Sequence, residues 1–380
     1  MNPKIKIILV HGGLFIVTLI TTTMAGAEWT FGKSVFMPGY SWPDFQSGFA
    51  YSIPFLLILT VHEFGHYFTA MYYRIKVTLP YFIPLPPLFL LGTLGAVIRL
   101  KERPVSKQQH FDIGIAGPLA GFVMALAILW YGFTHLPPPD FIFQFHPEYA
   151  QYGADYARYV YRPEFMKDGV IDVVLGKNLL FLFFEKFVAV PSLVPNPHEI
   201  MHYPLLFAGF LALVFTSLNL LPIGQLDGGH ILYGLAGYRI HRIIASIVFM
   251  VLLFFAGLGL ISPGEPVNDL WWEIILYLGF LYITMTGLGL SKRDTLMYAL
   301  AMFTLQYIIV ELFPTVKGYP GWLPFAFILG RMVGVRHPPS EIERPLTLGR
   351  KIAGWLALVI FVICFTPNPL DVVMSAKGAP

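Results

Sequence analysis

The sequence predicts an all-α polytopic membrane protein of eight or nine spans with a short re-entrant β-hairpin or strand. Three observations carry that expectation. The 380 residues are 56% hydrophobic and only 12% charged, about half the charged share of an ordinary soluble domain. Apolar stretches long enough to cross a bilayer core, about 20 residues each, recur along the chain. The basic residues between them fall on alternate loops, as spans crossing back and forth require.

The first stretch, residues 5–27, follows Lys4 and Lys6. It begins like a secretory leader but runs on without a convincing cleavage site, and is read as a retained span. Further spans are expected at residues 49–72, 113–136, 203–221, 243–261, 271–290, 296–313 and 352–365. Residues 322–335 form a shorter stretch, a tilted or half span. Between the second and third spans lie Arg74, Lys76, Arg99, Lys101, Arg103 and Lys107, opposed by Glu102 alone. That loop is therefore expected on the cytoplasmic side. The same alternation places Arg239, Arg242, Lys292 and Arg293 inside, and the Lys/Arg-free loop at residues 262–269 outside.

Residues 137–202 differ in character, being rich in Tyr, Pro and mixed charge. A small extracytoplasmic insertion is expected there, with a membrane-leaning helix near residues 179–190. The predicted organisation is a first span and outer loop (1–48), a first half of the core (49–136), the insertion (137–202), a second half of the core (203–290) and additional C-terminal spans (291–380). A net charge of +3, with no basic run interleaved with aromatics, excludes nucleic-acid binding. The single Cys364 excludes an internal disulfide or a cysteine metal cluster.

The chemistry is carried by His62-Glu63-Phe64-Gly65-His66, inside the second span. Residues four apart on a helix share a face, so His62 and His66 present two imidazoles to one metal ion, with Glu63 beside its water. Zinc lowers the pKa of such a water to about 7, and a carboxylate can take its proton as general base. Ionisable groups within a span cost at least ~2.5–3.5 kcal/mol each on insertion scales. Metal binding in a wetted cavity supplies the compensation; a merely hydrogen-bonded polar cluster does not account for the spacing. A rival from another functional class is a transporter or channel with these three residues lining a proton or metal path. A catalytically dead membrane scaffold is a third reading.

Such a site needs a third protein ligand. After the fourth span comes Asn219-Leu220-Leu221-Pro222-Ile223-Gly224-Gln225-Leu226-Asp227-Gly228-Gly229-His230. Pro222 and Gly224 interrupt a helix, and Gly228 and Gly229 let the backbone turn just past Asp227. Asp227 is the candidate ligand, although read alone it is a loop carboxylate. His230 is a supporting or cytoplasmic-face residue. A second match to the pattern, His198-Glu199-Ile200-Met201-His202, is flanked by Pro195, Pro197 and Pro204. These prolines limit any helix there, so an interfacial turn is expected in place of an i, i+4 pair.

Together, HEFGH within a span and LDGGH after a later one resemble the site-2 protease family of intramembrane zinc metalloproteases, over roughly residues 50–290. The resemblance implies that His62, His66 and Asp227 ligate zinc and that Glu63 is the catalytic acid/base. It implies that Asn219 helps hold substrate or its oxyanion. Gly92-Thr93-Leu94-Gly95 resembles the family's substrate-pairing strand, and Ile115-Ala116-Gly117-Pro118-Leu119-Ala120-Gly121 its glycine-proline motif. A strand has a physical rationale, because helical peptide bonds are shielded and an exposed edge captures an unwound chain by β-augmentation. Such an edge is tolerated at membrane depth only where it lines a protein cavity. The proline-rich residues 78–99 fit a re-entrant hairpin, with an ordinary amphiphilic loop as the alternative.

The implied partners are a transmembrane protein or peptide substrate and the lipid bilayer. The implied setting is a bacterial inner membrane with the site toward the cytoplasm. Departures from the family pattern are the absence of a convincing peptide-binding PDZ domain in 137–202 and of a C-terminal nucleotide-sensing domain. The extra spans with Arg336-His337-Pro338-Pro339 resemble a larger subgroup that includes chloroplast and some bacterial members.

Overall fold

The computed structural model describes residues 3–86, 91–162, 171–263 and 267–374. Parts of the expected hairpin (87–90), insertion (163–170) and outer loop (264–266) lie outside the described residues. In chain order the elements are α1 (Pro3–Phe31), α2 (Trp42–Ser47), α3 (Phe49–Tyr72), β1 (Tyr81–Pro84), β2 (Thr93–Val97), α4 (Lys107–Thr134), α5 (Ala157–Val160), β3 (Ile171–Leu175), α6 (Leu179–Phe187), α7 (Pro204–Asn219), α8 (Asp227–Gly257), α9 (Val267–Met285), α10 (Lys292–Leu312), α11 (Trp322–Ile328), α12 (Leu348–Cys364) and β4 (Leu370–Met374).

The described residues are mostly helical, with two small sheets. Among the described residues, six helices are long and apolar enough to cross a membrane. The expected eight or nine spans include shorter helices. At 16 residues, α7 extends about 24 Å against a hydrocarbon core of about 30 Å. The segment at Trp322–Val333 is likewise short and apolar, and α12 has 17 residues with Arg350 and Lys351 near its start. The largest difference in boundary is at the span placed at 243–261, which belongs to a 31-residue helix that begins at Asp227 and kinks at Gly237.

The chain divides into two compact units. The first comprises residues 1–103, 116–218 and 359–380. In it β1 and β2 form an antiparallel hairpin with Tyr81 opposite Val97, Phe82 opposite Ala96 and Pro84 opposite Thr93. Between these pairs Ile83 faces two residues, Leu94 and Gly95, which makes a β-bulge. Gly95 takes φ of +99° there, a backbone conformation that glycine adopts without strain. The buried Thr93 donates its hydroxyl to the Ile83 carbonyl at 2.8 Å.

The hairpin is clamped to α1. His11 Nδ1 contacts the Pro80 carbonyl at 3.0 Å, Phe15 meets Phe82 edge-on, and the Thr21 hydroxyl donates to Gly92 O at 2.7 Å. Gly92 has φ of +66°, and a Cβ on it would stand 2.5 Å from Thr21 O. Gly92→Ala is therefore expected to cost about 1–3 kcal/mol, read as a lowered thermal midpoint. Gly32→Ala, also at positive φ but with nothing within 4 Å, is expected to cost less. Equal effects from the two would contradict the close clamp.

The insertion is built from 3₁₀ segments at Pro139–Gln144 and Pro147–Asp155, then α5, β3 and α6. Helix α6 is capped by Asn178, whose side chain accepts from the Phe181 amide at 2.9 Å. Its inner residues Phe181 and Phe184 pack on Phe133 of α4, while Leu179, Phe183 and Phe187 stay exposed on the apolar outer side. Strand β3 pairs antiparallel with β4 from the far end of the chain, Ile171 opposite Met374 and Leu175 opposite Leu370.

The second unit comprises residues 104–115 and 219–358. A bidentate ion pair, Arg350 to Asp112 at 2.8 and 2.7 Å, fixes the start of α12 to the first turns of α4. Tyr277 donates to Gln306 at 2.9 Å, and Gln306 donates to the Phe254 carbonyl at 2.8 Å, which ties α9, α10 and α8 together. Such hydrogen-bonded polar side chains join helices where lipid gives them no hydrophobic incentive to associate.

Candidate metal centre

Helix α3 presents His62, Glu63 and His66 to its buried side, each only 6–7% exposed. The Nε2 atoms of His62 and His66 are 3.1 Å apart, and the two rings meet edge to face. Ligands about 2.0–2.1 Å from a tetrahedral zinc stand roughly 3.3 Å from one another, so this pair is spaced to share an ion. Glu63 Oε1 lies 4.0 Å from His62 Nε2.

The close approach of α4 shapes this pocket. A Cβ on Gly117 would fall 2.1 Å from His66 Nε2, and one on Gly121 3.0 Å from His62 Cβ. These two glycines of the glycine-proline motif leave room for the imidazoles. A side chain at 117 would displace the His66 ring, and one at 121 would crowd His62. The buried donor set, two imidazoles with a carboxylate beside them, fits a divalent transition ion.

Asp227 is the first residue of α8, preceded by Leu226 at the N-cap. An acidic side chain is favoured there by the helix dipole. The turn before it is tight. Gly224 has φ of +56° and bonds its amide to Val335 O at 3.0 Å, and a Cβ on Gly228 would fall 1.9 Å from Leu220 O. Only glycine at position 228 lets the helix start so close to the 220–221 backbone. Asn219, the last residue of α7, belongs with Asp227 to the second unit, whereas His62, Glu63, His66 and the 92–95 segment belong to the first. Thr93, Leu94 and Gly95 lie on β2, which packs against α3, and Gly92 stands just before it. Among the described residues the order is β1-β2, so that one edge of β2 lies outside the ladder, and Leu94 is exposed.

Two further clusters bring together residues distant in sequence. In the second unit His110, His230 and His337 present ring nitrogens within 4.8 Å of one another. His230 Nδ1 is 2.8 Å from His337 Nε2, and Tyr233 stacks on His337 at 4.0 Å between centroids. Burial and the neighbouring His230 push His337 down to about 2. In the first unit His146, Glu199 and His202 form a similar group. Burial pushes His202 down to about 4 and lowers His146 as well. His110 and His146 carried no signal in the sequence, each being a lone histidine outside any motif.

Six membrane-length helices and an HExxH segment buried on one of them define an integral membrane protein of the metallopeptidase type. A family model for peptidase family M50 matches residues 50–261, more than half of the chain. The chain belongs to this family, the site-2 protease family that its motifs resemble. Among curated relatives, it is 27% identical over 233 residues to a probable zinc metalloprotease EGY2, chloroplastic, of Oryza sativa subsp. indica, covering 56% of this chain and 37% of that protein. It is 27% identical over 237 residues to a probable zinc metalloprotease EGY1, chloroplastic, of Arabidopsis thaliana, covering 62% and 37%. It is 30% identical over 245 residues to a probable zinc metallopeptidase EGY3, chloroplastic, of the same plant, covering 60% and 38%. The match thus spans under two-fifths of the length of each of these three relatives.

Proposed function

We propose that this protein is an intramembrane zinc metalloendopeptidase that hydrolyses peptide bonds of membrane-spanning substrates. The observation that carries the reading is the His62–His66 pair, buried on a membrane-length helix with its ring nitrogens 3.1 Å apart and glycine opposite each ring. Family membership and the zinc metalloprotease names of the relatives support it. His62, His66 and Asp227 would hold the metal. Zinc, when bound, supplies Lewis acidity that acidifies a water and polarises a peptide carbonyl.

The protein's own residues do the rest. Glu63 takes the proton from the attacking water as its oxygen bonds to the carbonyl carbon. As the C–N bond breaks, Glu63 delivers that proton to the leaving amine. Asn219 holds the substrate or its oxyanion, and the free edge of β2, with Gly92 and Thr93–Gly95, pairs with an unwound substrate strand. The reading extends to regulated intramembrane proteolysis of a single-span substrate, in a chain of eight or nine crossings with the centre toward the cytoplasmic side. The relatives are chloroplastic plant proteins, which lend no support to a bacterial inner membrane. That part of the expectation is not carried forward.

Metal removal tests this function. The chelator 1,10-phenanthroline is expected to reduce cleavage of a labelled transmembrane peptide to background, and added zinc to restore it. The transporter reading instead predicts metal or proton flux into liposomes. Flux without any chelator-sensitive cleavage would overturn the protease.

A further inference from the structure

We propose that the second HExxH-like segment builds a separate zinc-class metal site from His146, Glu199 and His202, which clips the insertion to the end of α1. His198 and His202 do not act as an i, i+4 pair. Residues Ile200–His202 form a 3₁₀ turn with Glu199 at its N-cap. With three residues per turn, positions i and i+3 eclipse, so Glu199 and His202 share a face. His198 instead stacks on Tyr161 at 3.9 Å between centroids. The third group arrives from elsewhere: His146 stands between the two 3₁₀ segments of the insertion.

The separations point to a shared ion. His146 Nε2 and His202 Nε2 are 3.3 Å apart, and Glu199 Oε2 is 3.7 and 3.6 Å from them. At 3.6 Å or more these carboxylate-imidazole pairs are too long to be hydrogen bonds. They match the edges of a tetrahedron about a zinc with ligands at about 2.0–2.2 Å. Two imidazoles and one carboxylate fill three of the four positions of a tetrahedral zinc, a water can take the fourth, and the carboxylate offsets part of the ion's charge.

Each ligand is also oriented from behind, as metal-bound side chains are. His202 Nδ1 donates to the Thr30 carbonyl at 2.7 Å, and His146 Nδ1 faces Glu148 Oε1 at 3.5 Å. Tyr161 donates its hydroxyl to Glu199 Oε1. These outward contacts leave His146 Nε2, His202 Nε2 and Glu199 Oε2 facing one another, the two ring nitrogens within hydrogen-bond distance of each other. Glu199 and His202 are buried, and His146 is partly open. Thr30 sits in the last turn of α1, and Pro204 begins α7 two residues after His202. A bound ion would therefore join the insertion at His146 to the turn before α7, which His202 already ties to the end of α1.

The test counts zinc in the full-length protein in detergent, in an H62A/H66A background that removes the α3 pair. Adding H146A and E199Q is expected to lower bound zinc by one equivalent per chain, and an unchanged count would overturn the site. Because the count is a difference within that background, it is read independently of whether the α3 pair binds metal. A second measurement needs no variant. Zinc should protect His146 and His202 of the native chain from diethylpyrocarbonate, mapped by peptide mass spectrometry, and a chelator should expose them. Equal modification with and without zinc would overturn the proposal.

Discussion

Replacing Glu63 by Gln is expected to slow peptide-bond cleavage by about 10²–10⁴-fold, the range removed with a positioned general acid/base, while zinc content stays at the wild-type level. The substitution keeps the size of the side chain and removes only its capacity to take a proton. Glu63 lies beside the histidine pair, its Oε1 4.0 Å from His62 Nε2. In the proposed mechanism it is not a metal ligand, and so zinc should survive its loss. Single-turnover cleavage and metal analysis on one preparation check both halves. Lost activity with lost zinc would instead make Glu63 a ligand of the metal.

The second large effect needs no change to any ligand. Gly117→Ala places a methyl group 2.1 Å from His66 Nε2 and 2.5 Å from two ring carbons. Alanine favours a helix by about 1 kcal/mol over glycine, so propensity alone predicts a more stable protein. The displaced atoms, however, are the tip of a metal-binding side chain. The ring should swing away with α4 intact, and zinc affinity should fall by about 10–100-fold or more, at least the loss seen when the orientation of a ligand is disturbed. Gly13→Ala on α1, with nothing within 4 Å, is the neutral comparison. Zinc titration with circular dichroism distinguishes the outcomes; unchanged affinity in Gly117→Ala would mean that α4 does not shape the pocket.

Much of this architecture was legible because its signals are local. The HEFGH spacing dictates a shared helix face, and α3 delivers it. Prolines around residues 80–87 and glycines at 92 and 95 announce a hairpin, and the bulge at Gly95 shows what the second glycine does. The glycine-proline motif was visible as a pattern, but its purpose was not: room for the His62 and His66 rings appears only once α3 and α4 are side by side.

The misses share a different cause. Helix α8 begins at Asp227, well before its apolar run, because Gly228 packs against the 220–221 backbone and tertiary contact outweighs poor helix propensity. The β3-β4 pairing joins residues about 200 positions apart, and neither strand carries a turn signal linking it to the other. The His146 cluster depends on a 3₁₀ turn and a remote histidine. The flanking prolines pointed to the turn that forms there, but nothing in the HExxH spelling pointed to His146.

The central claim is best tested by mass-spectrometric mapping of the products formed from a labelled single-span peptide in nanodiscs. The account predicts a cut within the spanning segment, absent with Glu63→Gln and with chelator, and restored by zinc. Cleavage at the wild-type rate in Glu63→Gln, or no cleavage of any peptide in a varied panel by the zinc-loaded protein, would contradict it.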